Sequence, residues 1–188
     1  MTYAVEDFCR DTRTAIDPRS RNADIEAVRA ALEKLLANPQ FVSEQCGPQA
    51  KIGVHTIFHD PQTDFMLLAH INEAGRTSPP HDHGASWAVY GQAIGWTEMT
   101  DYERLDDGSK EGQAELKVTR KYRLDPGKAG IFGPHQVHSI HFPDGARFIR
   151  VTGTDLTKIE TLRYDMANRK VLRNDPNREG VAAGSGAV

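Results

Sequence analysis

The clearest periodic pattern in the chain lies near its N-terminus. Over residues 22–37 apolar side chains recur at steps of three and four, at Ile25, Val28, Leu32, Leu35 and Leu36. This spacing predicts an amphipathic helix, and Asn22 is the expected cap of its first turn. The Asn-Pro pair at 38–39 ends the helix, because a residue before proline avoids helical backbone angles. We predict a shorter helical turn to about Gln45 and another helix over residues 3–12.

Beyond residue 48 the pattern changes to short apolar runs separated by turn residues, which is typical of the strands of a sandwich or barrel. We place strands at 50–58, 65–72, 86–92, 94–101, 115–124, 129–132, 137–142, 147–153 and 158–164. In the run 115–124 the even positions are apolar except Arg120, which predicts one buried face and one exposed face. We expect Arg120 to extend outward, with a pocket role as the alternative.

The length of 188 residues fits one structural domain with a single core. We expect a helical segment over 1–47 that packs on a β-barrel over 48–172. A flexible tail over 173–188 follows, because its end is small and polar. The predicted fold class is an all-β barrel with N-terminal helices.

Charge and composition narrow the possible partners. The net charge is −3, the isoelectric point is about 6.2, and no run of five like charges occurs, so neither nucleic acid nor a membrane surface is expected. No apolar run approaches the roughly 20 residues that span a bilayer, and a signal-peptide layout is missing, which favours a cytoplasmic location. We expect Cys9 and Cys46 to be free thiols. A small molecule is the expected partner, and the oligomeric state stays open between monomer and homodimer.

The segment that carries the most chemical information contains His81 and His83. Side chains at i and i+2 of an extended segment project to one side, so both imidazoles can share an ion at about 2.0–2.1 Å. A third ligand must come from a strand remote in sequence, and the proline- and glycine-containing segment 126–138, which ends on histidines, offers it. A pair of exposed loop histidines is the plainer alternative, but the surrounding glycines and the second histidine segment argue against it.

These residues resemble the cupin superfamily and, within it, the cysteine dioxygenase-like thiol dioxygenases. The first cupin motif, G-x5-HxH-x(3,4)-E-x6-G, is matched by Gly75, His81, His83 and Gly95. Ala88 stands where many cupins carry a glutamate ligand, and loss of that glutamate is characteristic of the thiol dioxygenases. The resemblance covers about residues 20–170 and implies a double-stranded β-helix, or jelly roll, with a three-histidine metal site.

In the second motif the resemblance places the metal histidine at His138. His135 and His141 compete for this role, but His135 lies in a turn and His141 is an odd number of residues from His138, on the other strand face. The implied ligands are therefore His81, His83 and His138. Fe(II) is the expected ion, although three imidazoles also accept Ni, Zn, Mn or Cu.

On the substrate side the chain departs from the thiol dioxygenases. The arginine that clamps a substrate carboxylate in that group falls on His55, and its Ser-x-His-x-Tyr set falls on Phe148, Arg150 and Thr152. We expect Arg150 to anchor an acidic group of the substrate and Tyr90 to replace the missing phenol as a catalytic proton donor. An internal ion pair of Arg150 and a tyrosine at the rim are the plainer alternatives.

Two further residues complete the expected pocket. Alternation along 65–72 turns His70 inward, and Trp87 lies beside the ligand strand, where burial in the core or in a pocket wall explains its ring. The alternative for His55 and His70 is a buried, hydrogen-bonded core histidine.

The resemblance implies a mononuclear non-heme Fe(II) dioxygenase that oxidises a small thiol, or a similar chelating substrate, with O2. One alternative is a three-histidine cupin dioxygenase that cleaves a C–C bond of a diketone or hydroxyaryl ketone. Another is a metal-bearing cupin that binds a ligand without catalysis, because fold alone does not determine function.

Overall fold

The computed structural model describes residues 2–20 and 22–176, and the end of the expected tail, 177–188, lies outside the described residues. Within that part the helices are α1 (Val5–Ala15), α2 (Ile25–Leu36) and α3 (Pro39–Cys46). The strands up to the middle of the chain are β1 (Gly53–His59), β2 (Met66–Ile71), β3 (Arg76–Thr77), β4 (Ala88–Ile94), β5 (Thr97–Arg104) and β6 (Leu116–Leu124). The later strands are β7 (Ala129–Phe132), β8 (Val137–Phe142), β9 (Arg147–Thr152), β10 (Thr161–Asp165) and β11 (Lys170–Asn174).

The strands form two facing antiparallel sheets and a small hairpin. The first sheet has the order β1-β2-β9-β4-β7, the second has β3-β8-β5-β6, and β10 pairs with β11. A shared apolar cluster joins the facing surfaces, with Ala88, Tyr90, Phe132 and Phe148 from the first sheet and Met99, Leu124, Ile140 and Phe142 from the second. We call the surfaces that face each other the interior faces.

The helices cover the other face of the first sheet. A Cβ atom at Gly91 of β4 would lie 2.7 Å from Leu32 and 2.6 Å from Leu36, so only glycine lets α2 approach this closely. Because helices cover one face and the second sheet covers the other, β2 and β4 are buried along most of their lengths. Among the described residues, no helix has both the length and the apolar character needed to cross a membrane.

The N-terminal helices begin and end close to their predicted positions, but the cap of α2 is corrected. The carboxylate of Asp24, not the side chain of Asn22, accepts a hydrogen bond from the backbone N–H of Ala27 at 3.0 Å. Asp24 lies directly before the first helical turn, where a side-chain oxygen can reach an N–H group without a partner. Asn38 caps α3 in the same way.

The expected buried face of β6 is only partly formed. Leu124 is buried, but Val118 is 43% exposed, because β6 is the outer strand of its sheet and a register shift at Asp101 disrupts its pairing with β5. Arg120 is exposed, as expected, and its guanidinium lies 4.3 Å from the centre of the Tyr122 ring.

Two strands were not predicted. β3 has only two residues, too few for a periodic pattern, and β11 is largely polar and exposed. β11 also continues to Asn174, so residues 173 and 174 belong to a strand and not to a flexible tail.

A buried carboxylate joins α1 to the loop between β1 and β2. The Asp60 side chain is fully buried and accepts hydrogen bonds from Arg13 Nε at 2.8 Å and from the Thr63 hydroxyl at 2.6 Å. Burial alone would raise the pKa of Asp60, but the donors from Arg13 and Thr63 outweigh it and hold the pKa below its ordinary value.

We expect Asp60→Asn to lower the free energy of unfolding by about 1.5–3 kcal/mol at pH 7, because charge-assisted bonds at a buried group are lost. The folded pKa lies below the unfolded value of about 3.9, so the contribution is complete above that pH and disappears as the pH falls through the folded pKa. Urea unfolding at pH 7 and pH 3 measures both effects. Asp125→Asn, which removes an exposed ion pair with Arg123, is the control and should change stability by less than about 0.5 kcal/mol. If Asp60→Asn lowers the free energy of unfolding by the same amount at pH 7 and at pH 3, the proposed stabilisation by the ionised Asp60 carboxylate is contradicted.

Candidate metal centre

Three histidines converge between the two sheets. His81 and His83 lie in the segment before β4 and His138 lies in β8, and their candidate ligand atoms are within 4.8 Å of one another. All three side chains are buried. The ring centres of His81 and His83 lie 4.5 Å and 4.8 Å from that of His138. Among the described residues this group could hold one metal ion.

The backbone explains why segments so distant in sequence meet. His81 and His138 exchange two backbone hydrogen bonds, of 2.8 Å and 2.9 Å, so the segment before β4 runs alongside β8. Asp82 then turns the chain, because its carboxylate accepts from the backbone N–H groups of Gly84 and Leu162 at 3.0 Å and 2.8 Å. Asp82 therefore acts as a turn residue, and it lies outside the ion-binding group of the described residues.

The nitrogen atoms of the three rings fit a metal ion. His81 Nδ1 lies 3.0 Å from the Pro79 carbonyl oxygen, which can only accept a hydrogen bond, so this nitrogen carries the proton and Nε2 offers a lone pair. Among the described residues, His81 Nε2, His83 Nδ1 and both ring nitrogens of His138 are buried without a hydrogen-bond partner. Such atoms are rare in folded proteins, and a bound ion accounts for one nitrogen of each ring.

The protonation state of these rings also suits ligation. Burial is the main cause that lowers the pKa of His81 to about 4, and burial together with neighbouring positive charge lowers the pKa values of His83 and His138 well below their ordinary range. The three imidazoles are therefore neutral at pH 7, the form that binds metals.

Aromatic side chains hold two of the rings. The Tyr90 hydroxyl lies 3.1 Å from His83 Nε2, and the Phe132 ring stacks on His138 with a centroid distance of 3.7 Å. Tyr90 was predicted as a pocket residue, whereas Phe132 was missed. Phe132 reaches the site because it is the cross-strand partner of Ala88. Such pairs cannot be recognised from the local sequence.

Arg150 lies on the interior face, within electrostatic reach of the histidines. It pairs across the sheet with Tyr90, and antiparallel partners project to the same face. Its positive charge contributes, after burial, to the lowered pKa values of His81, His83 and His138. The arginine is partly exposed.

His70 lies on the interior face but outside the ligand group. Its ring is buried, stacks on Phe148 with a centroid distance of 4.6 Å, and has an Nε2 atom without a hydrogen-bond partner among the described residues. A cavity of about 20 Å³ next to it is bordered by polar side chains of Asn72, Arg76 and Ser78. This volume is sufficient for about one water molecule.

The structure corrects the position of His55 and places Trp87 in the apolar core between the helices and the first sheet, here called the helix-side core. His55 pairs with Ala69, a member of the helix-side core, and its Nε2 lies 2.5 Å from the Lys51 carbonyl oxygen. The resemblance placed His55 in the pocket, but a bulge between Thr56 and Phe58 reverses the alternation along β1, and His55 faces the helix side instead. Trp87 also belongs to the helix-side core, the first of its two expected roles.

The competing ligand candidates lie outside the site. His135 is an exposed turn residue with a positive φ of 59°. His141 is exposed on the outer face of β8, where Nδ1 lies 2.8 Å from the Thr77 hydroxyl. Neither imidazole belongs to the ligand group of the described residues.

Asp101 is the polar interior residue that sequence reasoning missed. It lies in β5 as the cross-strand partner of His138, on the same face as Met99. Burial raises its pKa, and the charge of Arg120 partly opposes this shift. Alternation with Met99 could have indicated that Asp101 faces the interior. Its position beside His138 depends on the pairing of β5 with β8, which no local motif predicts.

No protein-family model and no curated protein sequence matches the chain. Among solved structures, it is similar to KdgF from Halomonas sp., with 20% identity over 53% of this chain and 76% of that one and a TM-score of 0.40. The cupin domain of Schizosaccharomyces pombe Cnp3 is 14% identical, with 57% and 66% covered and a TM-score of 0.43. An uncharacterised Klebsiella pneumoniae protein with a double-stranded β-helix domain is 19% identical, with 59% and 80% covered and a TM-score of 0.39.

These likenesses concern the fold alone. Two facing antiparallel sheets, with the strand orders given above, form a double-stranded β-helix, and the three-histidine group lies between them.

We expect His138→Ala to reduce metal content to less than about a tenth of an ion per chain, because two imidazoles do not complete the ligand set. Elemental analysis after incubation with Fe(II) under anaerobic conditions measures the loss. His141→Ala removes an imidazole from the exposed face of the same strand and should retain full metal content. Equal metal content in the two variants would contradict the assignment.

Proposed function

We propose that the protein is a mononuclear non-heme Fe(II) dioxygenase that oxidises a small thiol. The observation that carries the proposal is the neutral ligand set, because the ion-binding group of the described residues contains three imidazoles and no carboxylate. Ala88, at the position of the glutamate ligand in many cupins, contributes only a methyl group to the interior cluster. The resemblance to thiol dioxygenases rests on the same feature.

Fe(II) in such a site would supply a 2+ charge that its ligands leave uncompensated, and positions at which an anionic thiolate and O2 can bind. His81, His83 and His138 would hold the ion. Met99, Phe132 and Ile140 belong to the apolar cluster around the histidines and limit water there.

Thiol oxidation is also consistent with the balance of atoms and electrons. A thiol RSH and one O2 give the sulfinic acid RSO2H, so both oxygen atoms enter the product and the thiol sulfur supplies all four electrons. No external reductant is needed, and one small site suffices for both reactants.

Tyr90 and Arg150 have separate proposed roles. The Tyr90 hydroxyl contacts His83 at 3.1 Å and orients that ring. We assign to the same hydroxyl the role of proton donor. Arg150, on the interior face opposite the second sheet, would anchor an acidic group of the substrate through its planar fork of donors.

Oxygen uptake by the Fe(II)-loaded protein tests the proposed reaction. We expect one O2 to be consumed per molecule of sulfinate formed with at least one small thiol, and no uptake with diketones. His138→Ala should abolish the uptake. Uptake driven by a diketone alone would favour C–C cleavage, and binding of ligands without uptake would favour a non-catalytic cupin.

We expect Arg150→Met to raise KM at least about tenfold, or roughly 1.4 kcal/mol, for a thiol that carries a carboxylate. An uncharged thiol should show little change, because it has no group for the guanidinium to bind. Steady-state kinetics on protein of equal metal content measures both values. Arg123→Met removes an exposed arginine and is the control. Unchanged kinetics in Arg150→Met, or loss of the fold, would contradict the anchor and favour a structural role.

A further inference from the structure

The second sheet contributes a carboxylate to the interior that neither the metal group nor the proposed reaction uses. Asp101 is the cross-strand partner of His138, and cross-strand partners have Cα atoms about 4.5–5.5 Å apart. Alternation along β5 agrees, because Met99, two residues earlier, is 1% exposed in the interior cluster. The Asp101 side chain therefore projects to the same side as the His138 imidazole.

The protein compensates this carboxylate only in part, through the charge of Arg120. Asp101 Oδ1 is buried and accepts no hydrogen bond from the described residues, and no ion pair there involves Asp101. Arg120, the cross-strand partner of Asp101 in β6, is exposed, and its guanidinium lies over the Tyr122 ring. A buried carboxylate oxygen without a donor costs free energy, so a donor from a bound ligand would be favourable.

Asp101 is placed to bind a ligand and not the ion itself. The histidine ligand atoms lie within 4.8 Å of one another, and Asp101 is outside that group. A small molecule bound to the metal through one end could therefore extend its other end along β5 towards Asp101. A buried carboxylate oxygen without a donor, such as Asp101 Oδ1, favours a group with several N–H donors and a positive charge.

We propose that Asp101 determines specificity by receiving a protonated amino group of the ligand that binds at the three-histidine site. The ligand class is a small metal-binding molecule with a primary amine a few bonds from its metal-binding atom. The inference rests on the proposed function in that a ligand must bind at the metal, but it does not require that the ligand be a thiol.

Two pairs of probes, each matched in shape, test this role on Fe(II)-loaded protein under anaerobic conditions. The thiol pair is 2-aminoethanethiol and 1-propanethiol, and the hydroxamate pair is β-alanine hydroxamate and butyrohydroxamate. Within each pair a methyl group replaces the ammonium. Isothermal titration calorimetry gives four dissociation constants for each protein, and turnover is not needed.

The wild type should bind the amine of at least one pair ten times or more tightly than its methyl analogue. Asp101→Asn keeps the shape of the side chain and should reduce this preference to about twofold, while affinity for the methyl analogues is unchanged. Glu103→Gln removes an exposed acid from the same strand and should keep the full preference. Metal content and thermal midpoint of each variant verify that the site and fold are intact.

The outcomes separate the two proposals. If only the hydroxamates bind and their amine preference depends on Asp101, the thiol reaction fails while the role of Asp101 is supported. If thiols bind and are oxidised but neither pair shows an amine preference, the role of Asp101 fails while the reaction is supported. A preference that persists in Asp101→Asn, or absence of binding by all four probes, would overturn the role of Asp101.

Discussion

The site depends on one backbone contact, the pair of hydrogen bonds between His81 and His138. These bonds extend the second sheet past β3 and bring two histidine segments side by side. Once the backbones are paired, side-chain alternation directs both imidazoles to the interior, and the turn at Asp82 brings back His83. The metal group thus follows from sheet pairing and not from flexible loops, which favours a well-defined geometry.

Burial links the stability of the fold to the chemistry of the site. The same desolvation that lowers the pKa values of the three histidines keeps their nitrogens available as ligands. It also leaves buried nitrogens without partners when no ion is bound, which has a free-energy cost. Charges are placed on opposite walls of the interior, with Arg150 on β9 and Asp101 on β5. The site therefore has a positive side chain on one wall and an acidic side chain on the other.

Much of the fold and the three histidines could be predicted from the sequence, because both depend on short-range patterns. Helix α2 has a clear apolar period, and His81 and His83 show the two-residue spacing of a strand. His55 was misplaced because a single bulge reverses alternation, and bulges leave no reliable mark in one sequence. Asp101 and Phe132 were missed because their importance arises from pairing between distant strands. Local patterns identify faces, but pairing determines neighbours.

The close approach of α2 to Gly91 has a consequence for the rigidity of the centre. Tyr90 contacts His83 on the interior face of β4. Gly91, the next residue, contacts helix α2 on the opposite face of the same strand. Leu32 and Leu36 therefore pack directly against β4. Displacement of Tyr90 away from the histidines would compress the packing between α2 and the first sheet. Interiors this dense resist compression. The N-terminal helices are thus a mechanical support of the metal centre, although none of their side chains belongs to it.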